Sequence, residues 1–209
     1  MAGKAQPDGI LVPKVSSVDD LRAIGDRLAD ADSSIRVWAM IETARAVLHA
    51  EELAAASRDP KTRLAGFVFG PNDISRETRI RMRPGRAAMI PIITHCILAT
   101  RAHGLEILDG PYSDFSDFDG FGQECAQARD LGFDGKTLIH PGQIEACNAI
   151  FTPPEEEIAQ ARKIIAAFEL PENAARGAIR LDGQMVERLH AEMARRTIAI
   201  ADSIAALAG

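Results

Sequence analysis

Short apolar runs alternate with helix-patterned stretches five times in succession, and no other feature restricts the fold of this chain as much. Gly9–Pro13, Ile35–Ile41, Leu64–Phe69, Leu105–Leu108 and Thr137–Ile139 read as strands. Between them lie helical patterns: one capped by Ser16 or Ser17 and reaching about Ala29, one over Thr43–Ala56, one over Ala87–His103 and one over Asp117–Leu131. Gly104 and Gly132 follow the last two, where a left-handed residue closes a helix. Gly70-Pro71-Asn72-Asp73 reads as a turn. Further helices are expected at Pro141–Ile150, Pro154–Phe168 and Gln184–Leu207. Strands separated by crossover helices pair in parallel. No Gly-x-Gly-x-x-Gly follows a strand, which disfavours a dinucleotide-binding sheet. The expectation is an α/β fold, a (β/α)₈ barrel to which this chain contributes five βα units, with an open sheet as the alternative. The expected domains are 1–168, the barrel part, and 169–209, with a Pro- and Gly-containing linker over Glu169–Gly177.

Composition narrows the function classes. With 209 residues and 46% hydrophobic content the chain can bury one sizeable core. A net charge of −6 without a Lys/Arg cluster argues against a nucleic-acid partner, since nothing would neutralise phosphates. No apolar run approaches a membrane span and the opening residues are polar, so neither a membrane nor a signal peptide is expected, and a cytoplasmic protein is. Cys96, Cys125 and Cys147 are odd in number, far apart and set in apolar patterns, as reduced core thiols are.

Active sites of parallel α/β folds gather at the C-terminal ends of the strands. Here those ends read Pro13-Lys14, Glu42, Asp73, Asp109 and His140-Pro141. Glu42 and Asp73 end successive strands, so their carboxylates should lie side by side, and water or a divalent cation must relieve their repulsion. Mg²⁺ suits such a pair, taking one or two carboxylates and keeping other positions for water and substrate; Mn²⁺ is the alternative ion. The bland readings are a glutamate on a helix dipole and an aspartate capping a turn. Lys14 either attracts an anionic substrate group or pairs with a neighbouring acid. His140 is either a base or donor, or a turn residue before a helix-starting proline. Asp114, Asp117 and Asp119 fit N-terminal caps better than a calcium loop. In the last helix Met185, Leu189, Met193, Ile200, Ile204 and Leu207 form an apolar stripe, and Glu187 falls off it as a solvated charge.

Five runs carry a resemblance: Val12-Pro-Lys-Val15, Ile41-Glu-Thr-Ala44, Phe69-Gly-Pro-Asn-Asp73, Ala102 to Tyr112 and Gly132 to Pro141. In this order the chain resembles the HpcH/HpaI aldolase superfamily, the group of the citrate lyase β-subunit and of malyl-CoA and citramalyl-CoA lyases. The resemblance implies a (β/α)₈ TIM barrel of the phosphoenolpyruvate/pyruvate type, with Mg²⁺ on Glu42 and Asp73. It also implies a homo-oligomer, trimer or hexamer, in which a C-terminal lid helix reaches a neighbouring subunit. Gly183-Gln-Met-Val-Glu187 matches the lid's acidic motif, with glutamate in place of aspartate. The implied substrates are a CoA ester and a 2-oxo acid. The implied reaction is carbon–carbon cleavage of malyl-CoA or citramalyl-CoA, with Glu187 transferring a proton and Lys14 assisting. Asp73, the Ile74 amide, Asp109, His140 and Pro141 would line the substrate. A malyl-CoA thioesterase is the first alternative, and a truncated, non-catalytic chain that associates with a complete paralogue the second. Two departures stand out: the family's Asp-Leu-Glu-Asp and Arg-x-Asn motifs of the early strands are absent, and Ile93-Thr94 replaces an Arg-Ser pair.

Overall fold

The computed structural model describes residues 6–208, so the first five positions of the polar opening lie outside the described residues. The chain divides into two compact units, the first reaching Cys147 and the second starting at Asn148. That boundary precedes the expected one at 168. Residues 155–169 form a helix that packs on the last helix of the chain and so belongs with the second unit.

The first unit is built on one parallel sheet: β1 (Gly9–Val12), β2 (Arg36–Ile41), β3 (Leu64–Phe69), β4 (Glu106–Asp109) and β5 (Gly135–Lys136). Its spatial order is β1-β2-β3-β4-β5, every pair parallel. The helices are α1 (Val18–Arg27), α2 (Ala44–Leu48), α3 (Ala50–Ala55), α4 (Pro71–Thr78), α5 (Ile90–Arg101) and α6 (Phe118–Leu131), and α7 (Ile144–Phe151) runs across the boundary to the second unit. Helix α1 starts at Ser17 in a capping box with Asp20. Ala39, Ile41, Phe67, Phe69 and Ile107 are buried in the sheet, and Leu53, Ile93, Cys96 and Phe121 are buried on the helices. Parallel strands are apolar on both faces because helices cover them. The three cysteines are free and buried. No helix among the described residues is long and apolar enough to cross a membrane.

Four local expectations need correction. The helix expected over 43–56 is interrupted at His49, whose φ of −105° and ψ of 17° leave the helical region. Gly70-Pro71-Asn72-Asp73 is not a free turn but the start of α4, with Pro71 in the first turn, where its missing N–H costs nothing. The fifth strand is Gly135–Lys136, so Thr137–Ile139 lie beyond it. The expected helix over 184–207 starts late, at Arg188, because a hairpin precedes it.

In the second unit that hairpin pairs β6 (Ala178–Leu181) with β7 (Gln184–Glu187). Asp182 and Gly183 both take positive φ (49° and 83°), the two-residue turn that matches the twist of paired strands. Ile179 and Val186 face inward and pack with Phe168 of α8 (Glu155–Glu169) and Ala191 of α9 (Arg188–Ala208). The Arg188 guanidinium lies over the Phe168 ring, 5.6 Å from its centre. Met185, Leu189, Met193, Ile200, Ile204 and Leu207 are exposed.

Candidate active site

Because the sheet is parallel, the residues that end its strands share one edge. Lys14 follows β1 in a left-handed conformation (φ 58°), which costs a non-glycine residue about 1–2 kcal/mol. The surrounding structure holds it there: its amide donates to Glu42 Oε1 at 2.7 Å. Glu42, next after β2, is 4% exposed. Gly70 at the end of β3 makes room for it, since a Cβ there would stand 2.4 Å from Glu42 Cβ. Asp73 lies in the first turn of α4, where the helix dipole favours negative charge.

Lys14 joins the two acids. Its ammonium is 2.5 Å from Asp73 Oδ1 and 3.7 Å from Glu42 Oε1. Arg76 adds a contact of 2.9 Å to the same Asp73 oxygen. The hydrogen bond from Lys14 is the main cause that holds the Asp73 carboxyl below its ordinary pKa; partial burial opposes it, and the charges of Lys14 and Arg76 reinforce it. Asp73 is therefore ionised at neutral pH. Around this centre, Ser16 and Thr43 hydroxyls meet at 2.9 Å, and the Ala44 amide donates to Glu77 Oε2 at 2.9 Å, tying the loops after β1 and β2 to α4.

The other expected residues sit differently. Ile74 is fully buried and its amide donates to Gly70 O at 3.3 Å, so it is used by the helix; the amides of Asn72 and Asp73 remain as first-turn donors. Asp109 is also fully buried. It accepts from Arg86 Nη1 with both oxygens at 2.9 Å, from Lys136 Nζ at 2.8 Å and from the Gly110 amide at 2.9 Å. Glu124 completes this buried cluster, 2.7 Å from Lys136 and 3.4 Å from Arg86. Arg86 and Lys136 were not legible as site residues: no spacing rule connects positions 86, 109, 124 and 136. His140 Nδ1 accepts from the Gly142 amide at 3.0 Å and its ring stacks on Phe115 at 5.2 Å, while Pro141 opens a short 3₁₀ turn. Asp117 caps α6, accepting from the Gly120 amide. Glu187 ends β7 in the second unit, and its amide donates to His190 Nδ1 at 2.9 Å.

No group of three or more His, Cys, Asp or Glu side chains among the described residues is arranged to hold a metal ion. A pair of carboxylates meeting at one cation is what a magnesium site of the two-carboxylate kind requires. Lys14 shows that the place between Glu42 and Asp73 accepts positive charge.

A parallel α/β sheet with an acid pair at its C-terminal edge defines a class of enzyme frame, and comparison with known proteins places the chain within it. The chain belongs to the HpcH/HpaI aldolase/citrate lyase family, whose profile matches residues 2–141. It is 48% identical over 203 residues to a (3S)-malyl-CoA thioesterase of Cereibacter sphaeroides, an alignment covering 97% of this chain and 68% of that protein. A citrate lyase subunit beta of Leuconostoc mesenteroides is 31% identical over 207 residues, 96% of this chain and 67% of the relative. Among solved structures, CitE of Mycobacterium tuberculosis in complex with magnesium, acetoacetate and coenzyme A matches with a TM-score of 0.72 at 29% identity, covering 93% of this chain and 68% of that one. These relatives correct one expectation. Carbon–carbon cleavage was inferred from the family at large, yet the thioesterase is much more similar than the lyase subunit.

Proposed function

We propose that this chain is a CoA-ester hydrolase of the (3S)-malyl-CoA thioesterase type. The observation that carries the reading is the 48% identity to such a thioesterase across 97% of the chain. The acid pair at the strand ends supports it. The five strands are read as an arc of an eight-stranded barrel. Their order never reverses, whereas a doubly wound sheet reverses at a switch point.

In hydrolysis water adds to the thioester carbonyl, the C–S bond breaks, a C–O bond forms, and the thiolate recovers a proton. Glu42 and Asp73 would hold Mg²⁺, with Mn²⁺ as a substitute. When bound, the ion supplies Lewis-acid polarisation and a template for the carboxylate and hydroxyl oxygens of the malyl group. Lys14 favours the ionised form of Asp73 and adds positive charge for an anionic substrate. The Asn72 and Asp73 amides, at the positive end of α4, bind the malyl carboxylate. His140, with Nδ1 engaged by Gly142, offers Nε2–H as a donor beside Pro141. Asp109 takes a structural role, aligning Arg86 and Lys136. Glu187 is assigned the proton transfer, delivered to a neighbouring subunit of a homo-oligomer. The exposed stripe from Leu189 to Leu207 on α9 supports such association.

The test is product analysis with (3S)-malyl-CoA and Mg²⁺. Free malate and free CoA thiol are expected in equal amounts, and both should vanish with a chelator or in Asp73→Ala. Acetyl-CoA with glyoxylate in place of malate overturns the reading.

A further inference from the structure

From the last turn of α4 to the approach to α5 the chain crosses its most cationic stretch, with Arg76, Arg79, Arg81, Arg83 and Arg86 against a single acid, Glu77. The expectation that this acidic chain has no basic cluster is corrected here. Both ends of the stretch are pinned at the C-terminal edge of the sheet: Arg76 by Asp73 after β3, and Arg86 by Asp109, which ends β4. Ser75 Oγ also donates to Ile80 O at 2.6 Å, and the Gln127 amide group to Gly85 O at 2.6 Å, fixing the path of the backbone between the anchors. Glu77 is already engaged by the Ala44 amide.

The middle three arginines are left over. Arg79, Arg81 and Arg83 are exposed, and none of their side chains forms a hydrogen bond or ion pair among the described residues. The negative end of α4 accounts for Arg79 at most, because a helix dipole acts within its last turn. Successive arginines two residues apart are at most roughly 7 Å from one another along the chain. Three like charges carried on so short a stretch of chain repel one another, and an anion with several charges relieves this best. A strip this short, on a chain of net charge −6, suits a small polyphosphate ligand rather than a nucleic acid, which needs a longer track.

We propose that Arg79, Arg81 and Arg83 form the docking strip for the phosphates of the coenzyme A half of the substrate. The proposal rests on the CoA-ester reading above. CoA carries a diphosphate and a ribose phosphate at the far end of its pantetheine arm from the thioester. The strip lies past the far end of α4, roughly 10 Å of helix rise from Asp73, between anchors at Asp73 and Asp109. The arm would lead from the acid pair to the arginines.

The experiment compares wild type with Arg81→Ala/Arg83→Ala, both on exposed chain where truncation leaves the core intact. Calorimetric titration with free CoA and with pantetheine is run beside kinetics on malyl-CoA and malyl-pantetheine. CoA binding is expected to weaken by about tenfold or more, with pantetheine binding unchanged. The preference for malyl-CoA over malyl-pantetheine should fall by a similar factor through KM rather than kcat. Arg81→Lys/Arg83→Lys should restore part of the CoA binding. Equal CoA affinity in wild type and variant, or an equal loss with pantetheine, overturns the strip. Arginine-dependent CoA binding without hydrolysis of malyl-CoA would sink the thioesterase reading and leave the strip standing. Hydrolysis with an unaltered KM in the variant would do the reverse.

Discussion

Glu42 and Gly70 stand so close that each constrains the other. Adding a methyl group at Gly70 puts carbon where Glu42 already stands, so the acid must move or the strand end must shift. Gly70→Ala is expected to destabilise the protein by about 1–3 kcal/mol, the usual penalty for overpacking, and to abolish turnover. Chemical denaturation and the malate assay read the two effects separately. Lys14→Met should lower kcat/KM by roughly a hundredfold while the protein stays folded, since it removes the charge that joins the acid pair. Tyr112 offers a cleaner electrostatic test, because it is the one tyrosine in the chain. Its hydroxyl donates to the Asp117 carboxylate at 2.6 Å, and this bond is the largest cause pushing the phenol up to about 12; burial and the negative charges of Asp117, Glu124 and Asp114 add to it. The bond holds the proton on the phenol, so its stabilisation is complete below the ordinary tyrosine pKa and is lost as pH rises through about 12. Phenolate absorbance should therefore appear only near that pH, and Asp117→Asn should bring it back toward 10. An unshifted titration in wild type would disprove the bond.

At the scale of elements, the ends of the strands are where side chains of distant sequence meet. The cluster of Arg86, Asp109, Glu124 and Lys136 joins the loop before α5 to β4, α6 and β5, almost without solvent. Removing one member of such a cluster leaves charge buried without a partner. Asp109→Ala should cost about 3–5 kcal/mol, read as a lower midpoint in urea. Two elements show how local signals compete. Gly-Pro-Asn-Asp is as good a helix start as a turn, and only tertiary packing, against α2 among others, decides for α4. The hairpin before α9 carries Asp182-Gly183 between alternating apolar residues, a signal present in the sequence. Its strands are four residues long, too short for a period of two to stand out beside the helix that follows. Glu187 consequently ends a strand instead of riding on a helix.

For the whole molecule, metal binding should be visible as stability. A ligand that binds only the folded chain stabilises it by about 2.7 kcal/mol at a hundred times its dissociation constant. Mg²⁺ is expected to raise the melting temperature of the wild type and to leave that of Glu42→Gln unchanged; an equal rise in both would place the ion elsewhere. What the sequence determined by itself is what depends on near neighbours: four of the five apolar runs as strands, the parallel pairing through crossover helices, and the glycines that close two helices. Tertiary structure alone decided what depends on distant ones. It turned Asp109 into an ion-pair anchor, took the Ile74 amide for a helix, set Lys14 between the two acids, and left Arg79, Arg81 and Arg83 without counter-charges among the described residues. The reason is physical: periodicity and turn chemistry act over a few residues, whereas charge and burial act through space between segments that the chain brings together only when folded.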